Sequence, residues 1–254
     1  MKKTAIIKAS LASLVIGTGL FASTAQASEI SLVRHTLGLD QQSKQTQQNT
    51  NVYKTDREDQ NVLLGYYTQP STELTNLIGY TKDNDKLEFV PKGGVGETLV
   101  TVSPNTFSKY NADNKGNPGL DVFVVRENTS DRSASILSKG GVTKTNKNQY
   151  KDTLKTPIIN VKSTENGLTK DESLKGINFN KEEVSLKEVD FKLRKALIEQ
   201  KGLYKGQYSD GKIIVHLNDG EHNTFELHKK LQDNRMSDVI NSTDIKYIEV
   251  SLTK

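Results

Sequence analysis

Apolar positions recur at two different periods along this chain, and the change of period divides it. Between residues 62 and about 165, short β-branched and aromatic runs stop at turn residues. Leu87–Val90 stops at Pro91-Lys92-Gly93-Gly94, and Glu97–Val102 stops at Ser103-Pro104-Asn105. Leu120–Val125 follows Gly116-Asn117-Pro118-Gly119. Strands at this spacing predict a small antiparallel barrel or sandwich. In the third run Leu120, Val122 and Val124 face one side and Phe123 and Val125 the other. A strand apolar on both faces belongs at the centre of its sheet.

From about residue 180 the period lengthens. Leu186, Val189, Leu193 and Leu197 recur at helical spacing, with Ala196 beside them. Ser185 and Glu188 have the spacing of a capping box, with the Ser hydroxyl on the Glu188 amide and the Glu side chain reaching back. Gly202 is the expected stop. The charges of this helix read as a solvated face. Beyond it, Asp219-Gly220 reads as a two-residue hairpin turn. Residues 229–240 read as a short second helix or turn, and Ile245–Leu252 alternates as a closing strand. A long helix packed across a mixed sheet is an α+β arrangement. The two textures predict two domains, 62–170 and 171–254, meeting in the polar, turn-rich stretch from Ser163 to Gly176.

The N-terminus carries a different signal. Lys2, Lys3 and Lys8 precede an apolar run from Ala9 to Ala22, and Ala25-Gln26-Ala27 follows with the small-x-small pattern of a signal-peptidase site. The reading is a signal peptide over 1–27, a mature chain from Ser28 and a secreted protein. Residues 28–61, rich in Gln, Asn and Thr, contain almost nothing to bury and read as a flexible lead-in.

Charge and composition then narrow the function. The formal charge of +4 includes those three lysines, so the mature chain is near +1. That balance lacks the basic excess of a nucleic-acid binder. No later segment is long and apolar enough for membrane insertion. The absence of cysteine removes thiolate catalysis and thiolate zinc sites. The serine nucleophile elbow Gly-x-Ser-x-Gly is missing. Gly93-Gly94-Val95-Gly96 lacks the Lys-Ser/Thr of a phosphate loop. Of His35, His216, His222 and His228, the last three cluster in sequence. In a two-residue hairpin Leu217 would pair with His222 and His216 with Asn223, which puts His216 and His222 on opposite faces. The expectation is a non-catalytic protein with no cofactor and no metal.

One pattern is specific. Lys181, Val184, Val189-Asp190, Arg194, Leu197 and Leu203-Tyr204 stand at the spacings of the second signature of the staphylococcal and streptococcal toxins. Gly140-Gly141-Val142-Thr143 with Asn148 resembles their first signature, except that Lys139 stands at its aromatic position. Asn117–Glu127, Ser185–Glu199, Thr224–Ile240 and Ile245–Leu252 are similar to the superantigen-like branch, and the resemblance covers nearly all of 62–254. It implies an N-terminal OB-fold barrel and a C-terminal β-grasp domain joined across the long helix, with the signature residues structural. Asp190 and Arg194, at i and i+4, can form an ion pair.

The resemblance also implies a binding function in immune evasion and virulence. Superantigen-like members bind host immune proteins or glycoproteins, such as leukocyte receptors, immunoglobulin or complement; a homodimer is possible within the family. True superantigens crosslink MHC class II and the T-cell receptor, but the His-x-Asp of their zinc site is absent from Ile245–Leu252, as is their cysteine loop. Several superantigen-like members bind sialylated glycans through the β-grasp domain. Phe225, Glu226, Gln232 and Arg235 match that pattern, whereas Asp233 stands where those members have Thr. Asn241–Ile245 lacks the Arg they carry in the equivalent turn.

Overall fold

The computed structural model describes residues 57–90, 96–112, 115–127, 135–148, 152–165 and 167–254. The signal peptide, His35 and the turn at Pro91–Gly94 lie outside the described residues. Of the expected lead-in, only 57–61 is described, and it already enters a helix. This helix, α1 (Gln60–Thr68), is capped by the Asp59 carboxylate, which accepts from the Asn61 N–H at 2.7 Å. Leu63 and Tyr67, one turn apart, are its buried residues.

The first sheet contains β1 (Ser71–Asp83), β2 (Lys86–Phe89), β3 (Thr98–Thr101), β4 (Asn117–Val125), β5 (Ile136–Lys139) and β6 (Val142–Lys144), in the order β5-β3-β2-β1-β4-β6. It curls until β5 meets the end of β4: Glu127 N–H donates to the Leu137 carbonyl at 2.8 Å. The two faces of β4 do what its composition demands. Leu120, Val122 and Val124 enter the core of this barrel, whereas Phe123 and Val125 enter a second, larger core. The expected turn at Ser103 is instead a helix, α2 (Pro104–Tyr110), with Ser103 as cap and Pro104 in its first turn.

The second sheet is formed by β7 (Ile159–Glu165), β8 (Leu168–Ser173), β10 (Asp210–Leu217), β11 (His222–Glu226) and β13 (Ile245–Thr253), in the order β11-β10-β13-β7-β8. β13 and β7 run parallel and the other pairs antiparallel. The domain division expected between residues 170 and 171 falls inside β8, and the hairpin β7–β8 belongs wholly to the second sheet. Its polar, turn-rich sequence reads as a linker because β8 is an exposed edge strand with little to bury. A short ribbon pairs β9 (Glu183–Ser185) with β12 (Val239–Asn241).

The long helix, α3 (Leu186–Lys201), packs in the larger core with the second sheet, α1 and the outer face of β4. Ser185 Oγ accepts from the Glu188 N–H at 3.1 Å, and Gly202 terminates the helix with φ 71°. Only half of the capping box forms. The Glu188 carboxylate is drawn to Lys181 and Lys192 rather than back to the cap. Nor is the helix a solvated face: Lys187, Glu188, Asp190 and Arg194 are all buried.

The hairpin β10–β11 departs from the expected register by one residue. Gly220 N–H donates to the Leu217 carbonyl at 3.2 Å and Leu217 N–H to the Glu221 carbonyl at 2.9 Å. The loop is therefore Asn218-Asp219-Gly220, three residues, with Gly220 at φ 93°. His216 thus pairs with His222 and not with Asn223. The two rings share a face, 6.2 Å apart between centroids. The separation of these histidines onto opposite faces is overturned.

Candidate functional site

The residues after β11, Leu227 to Met236, run as turns into a short 3-10 turn at Arg235–Ser237. They are neither an α-helix nor a free loop, because buried groups from three elements hold them. On α3, Asp190 Oδ1 accepts from Arg194 Nε at 2.7 Å. Asp190 Oδ2 accepts from the Tyr67 hydroxyl of α1 at 2.6 Å. Arg194 then donates through Nη2 to the Glu226 carbonyl at 2.9 Å, and through Nη1 to the Tyr204 hydroxyl at 2.7 Å and the Leu227 carbonyl at 3.3 Å. Tyr204, held at φ 60°, donates to the same Leu227 carbonyl at 2.6 Å. The Tyr67 hydroxyl also accepts from the Leu231 N–H at 3.4 Å.

The side chains of this network are buried. Burial alone would lower the pKa of Arg194, but the Asp190 carboxylate outweighs it and holds the guanidinium charged. Burial raises the Tyr67 hydroxyl well above its ordinary value and pushes Tyr204 up to about 12. All remain protonated donors at neutral pH. The second-signature residues Asp190, Arg194 and Tyr204 thus fix the backbone where the candidate segment begins. Lys181, Val184, Val189, Leu197 and Leu203 are buried around them.

The first-signature glycines meet the other end of the segment. Gly141 N–H donates to the Met236 carbonyl at 2.9 Å. A Cβ on Gly140, at φ 56°, would lie 2.2 Å from that same oxygen. Backbone can approach this closely only where no side chain intervenes. Thr143 is buried opposite Asp121, and Asn148 is exposed. The stitching in this turn comes from Asn146, which donates to the Asn180 carbonyl and accepts from the Glu182 N–H, each at 2.7 Å.

The five candidate ligand residues separate by burial. Phe225 is 1% exposed, so it is not a contact residue; its ring lies 5.6 Å from the guanidinium carbon of Arg235 and supports it. Glu226 is exposed and its carboxylate pairs with Lys229 at 2.7 Å. Gln232 is exposed; its carbonyl accepts from the Arg235 N–H at 2.9 Å. Asp233 is exposed and its carboxylate pairs with Lys139, the last residue of β5. Arg235 donates through Nη1 to the Thr224 carbonyl at 2.8 Å and lies 3.5 Å from Gln232 Oε1. Among the described residues no carboxylate forms an ion pair with it.

Sequence reasoning missed the charges that flank this segment from other elements. Lys230 Nζ donates to Glu127 Oε2 at 2.8 Å and sits 4.0 Å from the Tyr66 ring centroid, and Tyr66 donates to Glu127 Oε1 at 2.9 Å. Lys187, buried, donates to Ser138 Oγ at 2.8 Å and the Lys139 carbonyl at 2.7 Å. Lys139 was visible only as a departure from the aromatic position, with no local clue to its partner.

Away from the segment, His216 stacks on Tyr247 at 4.4 Å between centroids and its Nε2 lies 3.1 Å from Glu249. His228 lies 3.3 Å from Asp210. Among the described residues no three His, Asp or Glu side chains are grouped to hold a metal.

Comparison with known proteins matches these two halves separately. A family model described as the staphylococcal superantigen-like OB-fold domain matches residues 61–146, and one described as the staphylococcal/streptococcal toxin β-grasp domain matches 157–252. Superantigen-like protein 11 of Staphylococcus aureus (strain Newman) is 39% identical over 252 residues, covering 99% of this chain and 100% of that protein. The chain belongs to the staphylococcal superantigen-like protein family. The superantigen-like fold is thus an OB-fold barrel with a β-grasp domain, and members of this family are binding proteins rather than enzymes.

Two similar solved superantigen-like structures hold sialylated ligands. The staphylococcal superantigen-like protein SSL5 in complex with sialyl-Lewis X is 38% identical with a TM-score of 0.67, covering 77% of this chain and 98% of that one. A Staphylococcus aureus superantigen-like protein in complex with 3-N-acetylneuraminyl-N-acetyllactosamine is 34% identical with a TM-score of 0.65, again covering 77% and 98%. Among the described residues of this superantigen-like chain, no helix is long and apolar enough to cross a membrane.

Proposed function

We propose that this protein is a secreted immune-evasion factor that binds sialylated glycans on host leukocyte glycoproteins through the segment from Glu226 to Arg235. The observation that carries the reading is Arg235. Its guanidinium is oriented by the Thr224 carbonyl and Gln232, is backed by the Phe225 ring, and forms no ion pair among the described residues, although its charge acts on the Asp238 carboxylate from beyond ion-pair distance. A guanidinium held in this way keeps donors for a carboxylate at little entropic cost. The relatives solved with sialylated ligands support the same chemistry. Asp233 does not oppose it, because Lys139 neutralises that carboxylate.

A second reading, direct binding of a host protein, is favoured by a different surface. A cavity of about 750 Å3 opens on the solvent face of the second sheet, lined by Lys162, Lys212, Asp171, Glu172 and Glu249 among others. A charged floor of both signs suits a polar protein partner.

The test is binding of labelled protein to human neutrophils with and without sialidase treatment. Loss of binding after sialidase supports the glycan reading. Binding that survives sialidase overturns it in favour of a protein receptor, which a cross-linked pull-down then names. No binding to cells shifts the search to soluble partners such as immunoglobulin and complement.

A further inference from the structure

We infer that Lys139, contributed by the OB-fold domain, is a ligand-contacting residue of the β-grasp glycan site and recognises the ligand's carboxylate together with Arg235. The inference rests on the glycan reading above and adds to it a specificity-determining residue from the other domain.

The cations around the segment differ in how open they are. Lys229 pairs with Glu226 and Lys230 with Glu127. Lys187 is buried, with its ammonium turned to Ser138 and the Lys139 carbonyl. The turn Asn241–Ile245 has no Arg. Lys139 is paired as well, with Asp233, but its side chain is 38% exposed against 18% for Lys229 and 20% for Lys230, so with Arg235 it is the cation open to a ligand on this stretch. Lys139 reaches Asp233, two residues before Arg235.

Lys139 is also held where a recognition group should be. Its carbonyl is fixed by Lys187 at 2.7 Å, and the next two residues are fixed by Gly140 N–H to the Thr101 carbonyl at 2.8 Å and Gly141 N–H to the Met236 carbonyl at 2.9 Å. The side chain is 38% exposed, so the pair with Asp233 does not sequester it. An ammonium has three donors, and Asp233 accepts one of them. An exposed pair of this kind contributes little to stability, whereas it orients the ammonium and leaves its remaining donors toward solvent. Arg235 and Lys139 both keep donors beyond those their acidic neighbours, Asp238 and Asp233, engage. Such donors suit a terminal sugar bearing a carboxylate, such as a sialic acid.

The experiment is calorimetric titration of 3′-sialyl-N-acetyllactosamine into the full chain and into Lys139→Met, Asp233→Asn and the double variant, with thermal unfolding as a control for folding. If Lys139 contacts the ligand, the double variant binds at least threefold more weakly than Asp233→Asn alone, because the ammonium is missing even when no acid needs neutralising. If the double variant and Asp233→Asn agree within threefold, Lys139 only neutralises Asp233; the inference is then overturned while the glycan reading stands. If the unmodified chain does not bind the sialoside, the glycan reading itself fails and the inference fails with it.

Discussion

Lys139 and Asp233, 94 residues apart in the chain, form an ion pair between the end of β5 and the segment that follows β11. Each alone departs from the pattern that the sequence resemblance implies: a lysine at an aromatic signature position, and an acid at the position of Asp233. Together they cancel in charge and explain one another. Under the glycan reading proposed above, the paired acid would not repel an anionic ligand. The predictions below follow from the same segment and the groups that hold it.

Arg235→Ala removes the guanidinium proposed above to face the ligand. Affinity for a sialylated trisaccharide is expected to fall at least tenfold. Stability should fall by only about 1 kcal/mol, because the side chain gives up one short hydrogen bond to the Thr224 carbonyl, one long one to Gln232 and a half-exposed contact with the Phe225 ring. Parallel calorimetry and urea unfolding separate the two; a large stability loss with unchanged affinity would remove Arg235 from the site.

Asp190→Ala leaves the Arg194 guanidinium buried without its carboxylate and strips the Tyr67 hydroxyl of its acceptor. Breaking such a pair from one side costs about 3–5 kcal/mol. Urea unfolding should show this loss. Hydrogen exchange should show faster exchange at Leu231, whose N–H depends on Tyr67.

Gly140→Ala places a methyl group 2.2 Å from the Met236 carbonyl oxygen at a left-handed backbone position. The backbone conformation alone costs about 1–2 kcal/mol. Relief of the clash must push the segment away from the barrel. The expected result is lost stability together with weaker ligand binding. An unchanged affinity would show that the segment does not depend on this contact.

Lys187 is the source of a pH dependence. Burial lowers its pKa to about 7 in the folded protein, against an ordinary value near 10.5, with the Glu127 charge opposing that effect and Lys230 adding to it; Asp233 and Lys139 act more weakly in opposite senses. Between these two values the unfolded chain binds the proton and the folded chain does not. Stability from this group therefore rises with pH from about 7 to about 10, by at most about 1.4 kcal/mol per pH unit. Below pH 7 the penalty of burying the charge is fully present. Lys187→Met should flatten this slope in unfolding measured from pH 6 to pH 10, and an unchanged slope would reassign the proton.

Much of the fold is legible in short windows of sequence. The helix over 186–201 follows from its apolar spacing, with Ser185 to start it and Gly202 to stop it. The two buried faces of Leu120–Val125 follow from their composition. Two helices were readable but missed: Asp59 before Leu63 and Tyr67, and Ser103-Pro104, are ordinary start signals obscured by polar or turn-like surroundings. The sequence pattern placed Gln232 and Arg235 on one exposed segment but carried no sign that Phe225 is buried beneath Arg235, because burial is set by packing and not by local spacing.

The sequence by itself determined the long helix over 186–201 and the two-sided strand Leu120–Val125, because caps, stops and periodicity act within a few residues and need no distant partner. It determined the family as well, through residues whose spacing reflects one buried network. Only the tertiary structure decided how those residues are used. One extra residue in the Asn218–Gly220 loop reversed the facing of His222 relative to His216. Desolvation turned an i, i+4 pair on a charged helix into the buried anchor of the Glu226 and Leu227 carbonyls. The meeting of Lys139 with Asp233 depends on the packing of two sheets against α3. Pairings over such separations are set by which surfaces exclude water together, and no local stretch of sequence carries that information.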